Sequence, residues 1–125
     1  MSLLRRRMMK SNIVYGQSIG ENLLTNWNDG IRLTGMGEES MHNSFATTEY
    51  IPIIEQYAYS IEMTESNFTD TRDIFFYNNN KECVARETIP VQLGPQPITF
   101  LEGTKYIRFC TYKSLKEIFA FYRTA

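Results

Sequence analysis

Tyr57-Ala58-Tyr59-Ser60-Ile61-Glu62-Met63 is the stretch that decides the fold of this chain. The large side chains occupy every second position, and small or charged side chains lie between them. A period of two is that of a β-strand with one buried face and one solvated face. The stretch therefore predicts a strand of a half-buried sheet.

Further runs rich in β-branched and aromatic residues predict more strands. They lie at residues 47–54, 74–77, 84–91, 106–112 and 118–123. Short strands at this spacing, with no convincing amphipathic helix between them, are typical of an antiparallel sandwich or barrel. We therefore predict an all-β fold, an antiparallel jelly-roll β-sandwich.

The segments between the strands carry residues that favour turns. We predict chain reversals at three clusters: Asn78-Asn79-Asn80-Lys81, Gly94-Pro95-Gln96-Pro97 and Glu102-Gly103-Thr104. Residues 30–43 hold three glycines and few apolar residues, which indicates weak strands joined by loops. Ser114-Leu115-Lys116-Glu117 is expected to form one helical turn.

The bulk composition narrows the class of protein. A length of 125 residues fits one domain. The 13 basic and 14 acidic side chains nearly cancel, which argues against a nucleic-acid-binding body. No apolar stretch is long enough for a membrane span, and no apolar core of an export signal follows the basic start.

The N-terminus differs in charge from the rest of the chain. Residues 1–19 are predicted to form an extended basic arm, and residues 20–125 the sandwich. We expect the arm to anchor the protein on another chain, with a disordered tail, packing on its own body and nucleic-acid binding as alternatives. The proposed anchor combines apolar and cationic side chains, namely Leu3, Leu4, Arg5, Arg6, Arg7 and Lys10.

Residues able to carry chemistry are few. His42 is the only histidine, and its polar surroundings predict that it is exposed. Cys83 and Cys110 lack metal-binding or redox spacing, and we expect both to be free thiols. Glu38 with Glu39, and Glu62 with Glu65, keep a two-carboxylate site open by residue type alone, but a sandwich this small rarely supplies the cleft. We predict that the protein is not an enzyme and uses no metal or cofactor.

Aromatic residues are abundant, with eight Tyr, eight Phe and one Trp. Most are expected to fill the core, because aromatic side chains are common in strands. Trp27 lies in the polar run Thr25-Asn26-Trp27-Asn28-Asp29 and is the best candidate for an exposed platform that stacks on a sugar ring. The alternative is that Trp27 caps one end of the sandwich.

Four segments in this order resemble a recurrent domain of bacteriophage head and tail appendages. They are Gly-Glu-Asn-Leu-Leu-Thr-Asn-Trp at 20–27, Thr-Glu-Tyr-Ile-Pro-Ile at 48–53, Ile-Phe-Phe-Tyr-Asn-Asn-Asn-Lys at 74–81 and Phe-Leu-Glu-Gly-Thr-Lys-Tyr-Ile-Arg-Phe at 100–109. The chain departs from the pattern at Glu55-Gln56, where a Pro-Gly turn is common, and at Leu101, where proline is usual.

The resemblance implies a jelly-roll similar to carbohydrate-binding modules and a place in a phage virion. We therefore expect a head fibre, capsid decoration or tail appendage, made in the host bacterial cytoplasm and assembled on the particle. Its expected partners are other virion proteins of the capsid or tail, further copies of itself, as in a trimer, and host surface polysaccharide. A stand-alone carbohydrate-binding module is the alternative.

Overall fold

The computed structural model describes residues 17–65, 72–90 and 92–125. Within these residues the chain forms nine strands, and a 3₁₀ helix at Lys113–Ile118 precedes the last of them. The strands are β1 Trp27–Leu33, β2 Glu39–Thr48, β3 Ile51–Pro52, β4 Tyr59–Met63, β5 Arg72–Tyr77, β6 Cys83–Thr88, β7 Gly94–Ile98, β8 Tyr106–Tyr112 and β9 Phe119–Arg123.

The strands form two antiparallel sheets. The smaller sheet has the order β9-β4-β7, and the larger has the order β1-β2-β8-β5-β6, with β3 also paired to β8. The chain passes from one sheet to the other five times between β3 and β9, which is the way a jelly-roll is built. The prediction of an all-β antiparallel sandwich is confirmed.

The core between the sheets follows from the period of two. In β4, Tyr59, Ile61 and Met63 are buried, as their alternation predicts. Side chains from β5, β8 and β9 meet them from the other strands, and the Tyr59 ring stacks on Phe121 with 5.3 Å between centroids. This apolar burial is the main source of stability.

The predicted chain reversal at Gly94-Pro95-Gln96-Pro97 is wrong. This segment begins the strand β7. Within the described residues β7 pairs only with β4, so it is an edge strand. Pro95 and Pro97 are two residues apart and therefore share one orientation. An edge strand tolerates proline because the missing N–H groups face away from the ladder.

Residues 30–43 form a longer hairpin than the sequence predicts. β1 and β2 pair along most of their length, and a tight loop closes them, with the Thr34 amide donating to the Glu38 carbonyl at 2.8 Å. Gly30, with a φ of +86°, lies at the register shift that bends the hairpin. The helical turn predicted near Ser114 is confirmed as part of the 3₁₀ helix.

The β1–β2 hairpin bends over the outer face of the larger sheet. Leu33 packs there in a second buried cluster with Phe45, Phe75, Tyr77 and Cys110. Five consecutive residues of β8, from Ile107 to Thr111, are consequently buried. The larger sheet is thus covered on both faces along its central strand.

Candidate ligand-binding cleft

A cavity of about 620 Å³ opens on the outer face of the larger sheet, between the tip of the β1–β2 hairpin and the β5–β6 turn. We call it the tyrosine cleft. A cavity of this size is in the range of small-ligand sites. Its walls are Met36, Gly37, Glu38, Glu39, Tyr50, Tyr77, Lys81, Glu82, Cys83 and Arg108.

Arg108 forms the fixed part of the cleft. Its side chain is 1% exposed, its Nε donates to the Thr48 carbonyl at 2.8 Å, and its guanidinium pairs with Glu39 at 2.9 Å. The guanidinium carbon also lies 4.7 Å from the centre of the Tyr50 ring. A buried cation is tolerated only when it is paired and hydrogen-bonded in this way. Arg108 therefore holds Tyr50 and the hairpin in place.

Tyr77 joins the floor of the cleft to the hairpin tip. Its hydroxyl donates to the Gly37 carbonyl at 2.9 Å, and burial raises the pKa of Tyr77 well above its usual range. Gly37 has a φ of +76°, and a Cβ there would meet the Cys83 side chain at 2.6 Å. Only glycine fits this approach, so the tip is packed directly on β6.

Lys81 lies at the rim of the cleft in a left-handed backbone conformation, with a φ of 60°. The Asn78 side chain supports this turn, because its oxygen accepts the amides of Asn80 and Glu82 at 2.9 Å and 3.0 Å. The Lys81 ammonium lies 4.9 Å from the centre of the Tyr50 ring and 5.3 Å from that of Tyr106. The two rings therefore already hold a cation, an arrangement worth about 0.5–1 kcal/mol at an exposed site.

A second cavity of about 300 Å³ adjoins the tyrosine cleft, and Tyr50 lines both. We call it the corner pocket. Its walls come from the start of the described chain and from the bend between β2 and β3, namely Gln17, Glu21, Asn22, Leu23, Thr25, Asn26, Thr48, Glu49, Tyr50, Ile51 and Pro52. The two cavities meet at Tyr50, and we call them together the trough.

Trp27, the predicted sugar platform, is partly buried. Its ring lies edge-on to Phe109 with 6.2 Å between centroids, and its indole N–H donates to the Leu24 carbonyl at 3.1 Å. This placement matches the alternative in which Trp27 packs at the end of the sandwich. Its role in glycan binding stays a prediction. The predicted anchor residues Leu3, Leu4, Arg5, Arg6, Arg7 and Lys10 lie outside the described residues.

The other candidate residues have structural surroundings. His42 is exposed, as predicted, and its ring lies 4.7 Å from that of Phe45. Cys83 and Cys110 are free thiols, as predicted, and burial raises the pKa of both. In the described parts of the chain, no group of three or more His, Cys, Asp or Glu side chains could hold a metal ion. No helix in those parts is long and apolar enough to cross a membrane.

Sequence reasoning missed the tyrosine cleft. Tyr50, Tyr77 and Arg108 belong to three separate segments, and only the fold brings them together. One signal was available within β8, where Arg108 and Cys110 alternate with Ile107 and Phe109. Large or sulfur-containing side chains on both faces indicate a strand that is covered on both sides.

No protein-family model matches the chain, and no curated protein and no solved structure is significantly similar to it. The resemblance to phage appendage domains therefore stays a prediction.

The stability of the protein should fall with alkaline pH through Tyr77. Because burial raises the pKa of the Tyr77 phenol above its ordinary value of 10.0, the unfolded chain loses the phenol proton first. This contribution is fully present below pH 10 and is lost as pH rises above it. Urea unfolding at pH 7.5 and 10.5 should show that the free energy of unfolding falls less with pH in Tyr77→Phe than in the wild type.

At pH 7.5 the variant should be about 1 kcal/mol less stable than the wild type, because the hydrogen bond to Gly37 is gone. Equal alkaline losses in the two proteins would contradict this role.

Proposed function

We propose that the chain is a structural protein of a bacteriophage virion, either a head fibre, a capsid decoration or a tail appendage. The N-terminal arm binds the particle, and the sandwich projects from it. The order of the four segments that resemble phage appendage domains supports this proposal, as does the sandwich fold. The partners are other capsid or tail proteins and further copies of the chain, in a trimer or another homo-oligomer.

The separation of charge along the chain is the observation that carries the proposal. The arm, residues 1–19, contains four cations and no acid, whereas residues 20–125 contain nine cations and all fourteen acids. The basic segment therefore offers a positively charged binding surface, whereas the body carries a net negative charge. The arm can therefore bind an acidic partner that the body would repel.

The contacts in the tyrosine cleft support a binding role without catalysis. Arg108 and Glu39 are paired with each other, and the Tyr77 hydroxyl is used to hold Gly37. Burial also raises the pKa of the Cys83 thiol at the cleft wall, which disfavours the nucleophilic thiolate. These groups hold the cleft in shape, as a preformed recognition surface requires.

Neutralising the arm should release the protein from its particle. In Arg5→Gln, Arg6→Gln, Arg7→Gln, the loss of three charges should lower the amount of the protein on purified virions by about tenfold, measured by mass spectrometry. The matched control replaces Arg86, Lys105 and Lys113, three exposed cations of the body, by glutamine. The control should remain on the particle. Equal loss in both variants, or the absence of the wild-type chain from virions, would contradict the proposal.

A stand-alone carbohydrate-binding module is the second candidate, and the partly exposed rings of Tyr50 and Tyr106 favour it. It predicts a glycan-array signal that falls about tenfold in Tyr106→Ala, because stacking on that ring is lost. Trp27→Ala should keep the signal, since that ring is packed on Phe109. No signal from the full chain would exclude this candidate and leave the virion proposal unaffected.

A further inference from the structure

We propose that, in the free protein, the basic N-terminal segment of residues 1–16 docks in cis along the trough formed by the corner pocket and the tyrosine cleft. The inference does not depend on the virion assignment, because it concerns the chain before it meets any partner. It rests on where the described chain begins, on the charge of the trough and on the order of residues in the segment.

The described chain begins inside the trough. Gln17 is 5% exposed and lines the corner pocket. Its side-chain amide donates to the Pro52 carbonyl and accepts a hydrogen bond from the Tyr59 hydroxyl, and its backbone carbonyl accepts one from Arg123. The point at which the N-terminal segment leaves the body is therefore fixed at one end of the trough.

The trough has the charge that a basic segment requires. Five carboxylates line its two cavities, against two cations, Lys81 and Arg108. Both cations contact the Tyr50 ring, so the wall already accommodates positive groups on its aromatic face. The carboxylate of Glu38 forms no ion pair within the described residues, nor does that of Glu82. Glu82 accepts the Asn78 side-chain amide through one oxygen, and a carboxylate has further lone pairs for an arginine.

The order of residues in the segment matches the order of the cavities. In the sequence, the apolar residues Ile13, Val14 and Tyr15 come just before Gln17, and Gln17 lines the corner pocket together with the apolar Leu23 and Ile51. The cations Lys10, Arg7, Arg6 and Arg5 lie further from Gln17 along the sequence. The tyrosine cleft likewise comes after the corner pocket, which Gln17 lines.

The reach of the segment favours docking on its own body. Lys10 lies seven positions before Gln17, a span of up to about 25 Å when extended, which exceeds the radius of gyration of about 14 Å expected for a domain this size. A segment tethered at the end of its own site has an effective concentration in the millimolar range. A second copy would reach such a concentration only in concentrated solution. An acidic partner that competes for the bound segment would therefore release it, as would high salt.

Limited trypsin digestion of the full chain tests this inference, because a docked segment is cleaved slowly at Arg5, Arg6, Arg7 and Lys10. In Glu38→Gln, Glu82→Gln, cleavage at these sites should be about fivefold faster or more at low salt. Glutamine at 82 keeps the carbonyl that accepts the Asn78 amide, so the turn is preserved. The control Glu102→Gln, Glu117→Gln removes two exposed acids outside the trough and should leave the rate unchanged. High salt should raise the cleavage rate of the wild type to that of the Glu38→Gln, Glu82→Gln protein, which we call the trough variant.

Three results would overturn the inference. The first is equal cleavage rates in the trough variant and the control variant. The second is a wild-type rate that salt does not change. The third is protection that increases with protein concentration, since this would place the segment on a second copy. Thermal melts of both variants, followed by circular dichroism, establish that the compared proteins are folded.

Discussion

The burial of β8 on both faces is the constraint on which the rest of the structure depends. This strand pairs with β2 and β3 on one side and with β5 on the other. Its inward face, with Ile107 and Phe109, packs between the sheets, while its outward face carries Arg108 and Cys110. An antiparallel sheet usually has one solvated face. The outer face of the larger sheet must therefore be covered by other side chains, and the buried cation Arg108 must be paired with a carboxylate.

The β1–β2 hairpin meets both requirements. Leu33 covers the apolar part of the outer face, and Glu39 supplies the carboxylate that pairs with Arg108. Because the guanidinium of Arg108 is buried, loss of its carboxylate partner would leave a buried cation unpaired, so the hairpin position and the charge of β8 stabilise each other. The tyrosine cleft is the space left where the hairpin tip ends, and its shape follows from the same contacts.

Much of the fold could be predicted because it depends on local sequence. The alternation at Tyr59, Ile61 and Met63 correctly places β4 and its buried face, and β8 begins and ends at the predicted residues. The Pro95–Pro97 segment could not be assigned, because proline marks both a turn and an edge strand. Only the pairing partners of the segment distinguish the two.

The candidate site could not be predicted for a different reason. Its side chains come from separate strands and turns, and their convergence depends on the bend at Gly30 and on the left-handed turn at Lys81. Trp27 stood out by its polar neighbours in sequence, yet its ring is packed on Phe109. Local polarity indicates a loop, but it does not indicate which ring stays exposed.

Amide hydrogen exchange, measured residue by residue on the full chain, tests the two-sided burial of β8 most directly. We predict that the hydrogen-bonded amides of β8, from Ile107 to Thr111, exchange only through global unfolding and are among the slowest in the protein. The hydrogen-bonded amides of the edge strand β6 should exchange faster, through local opening. Exchange of the β8 amides at the rate of the β6 amides would contradict the account.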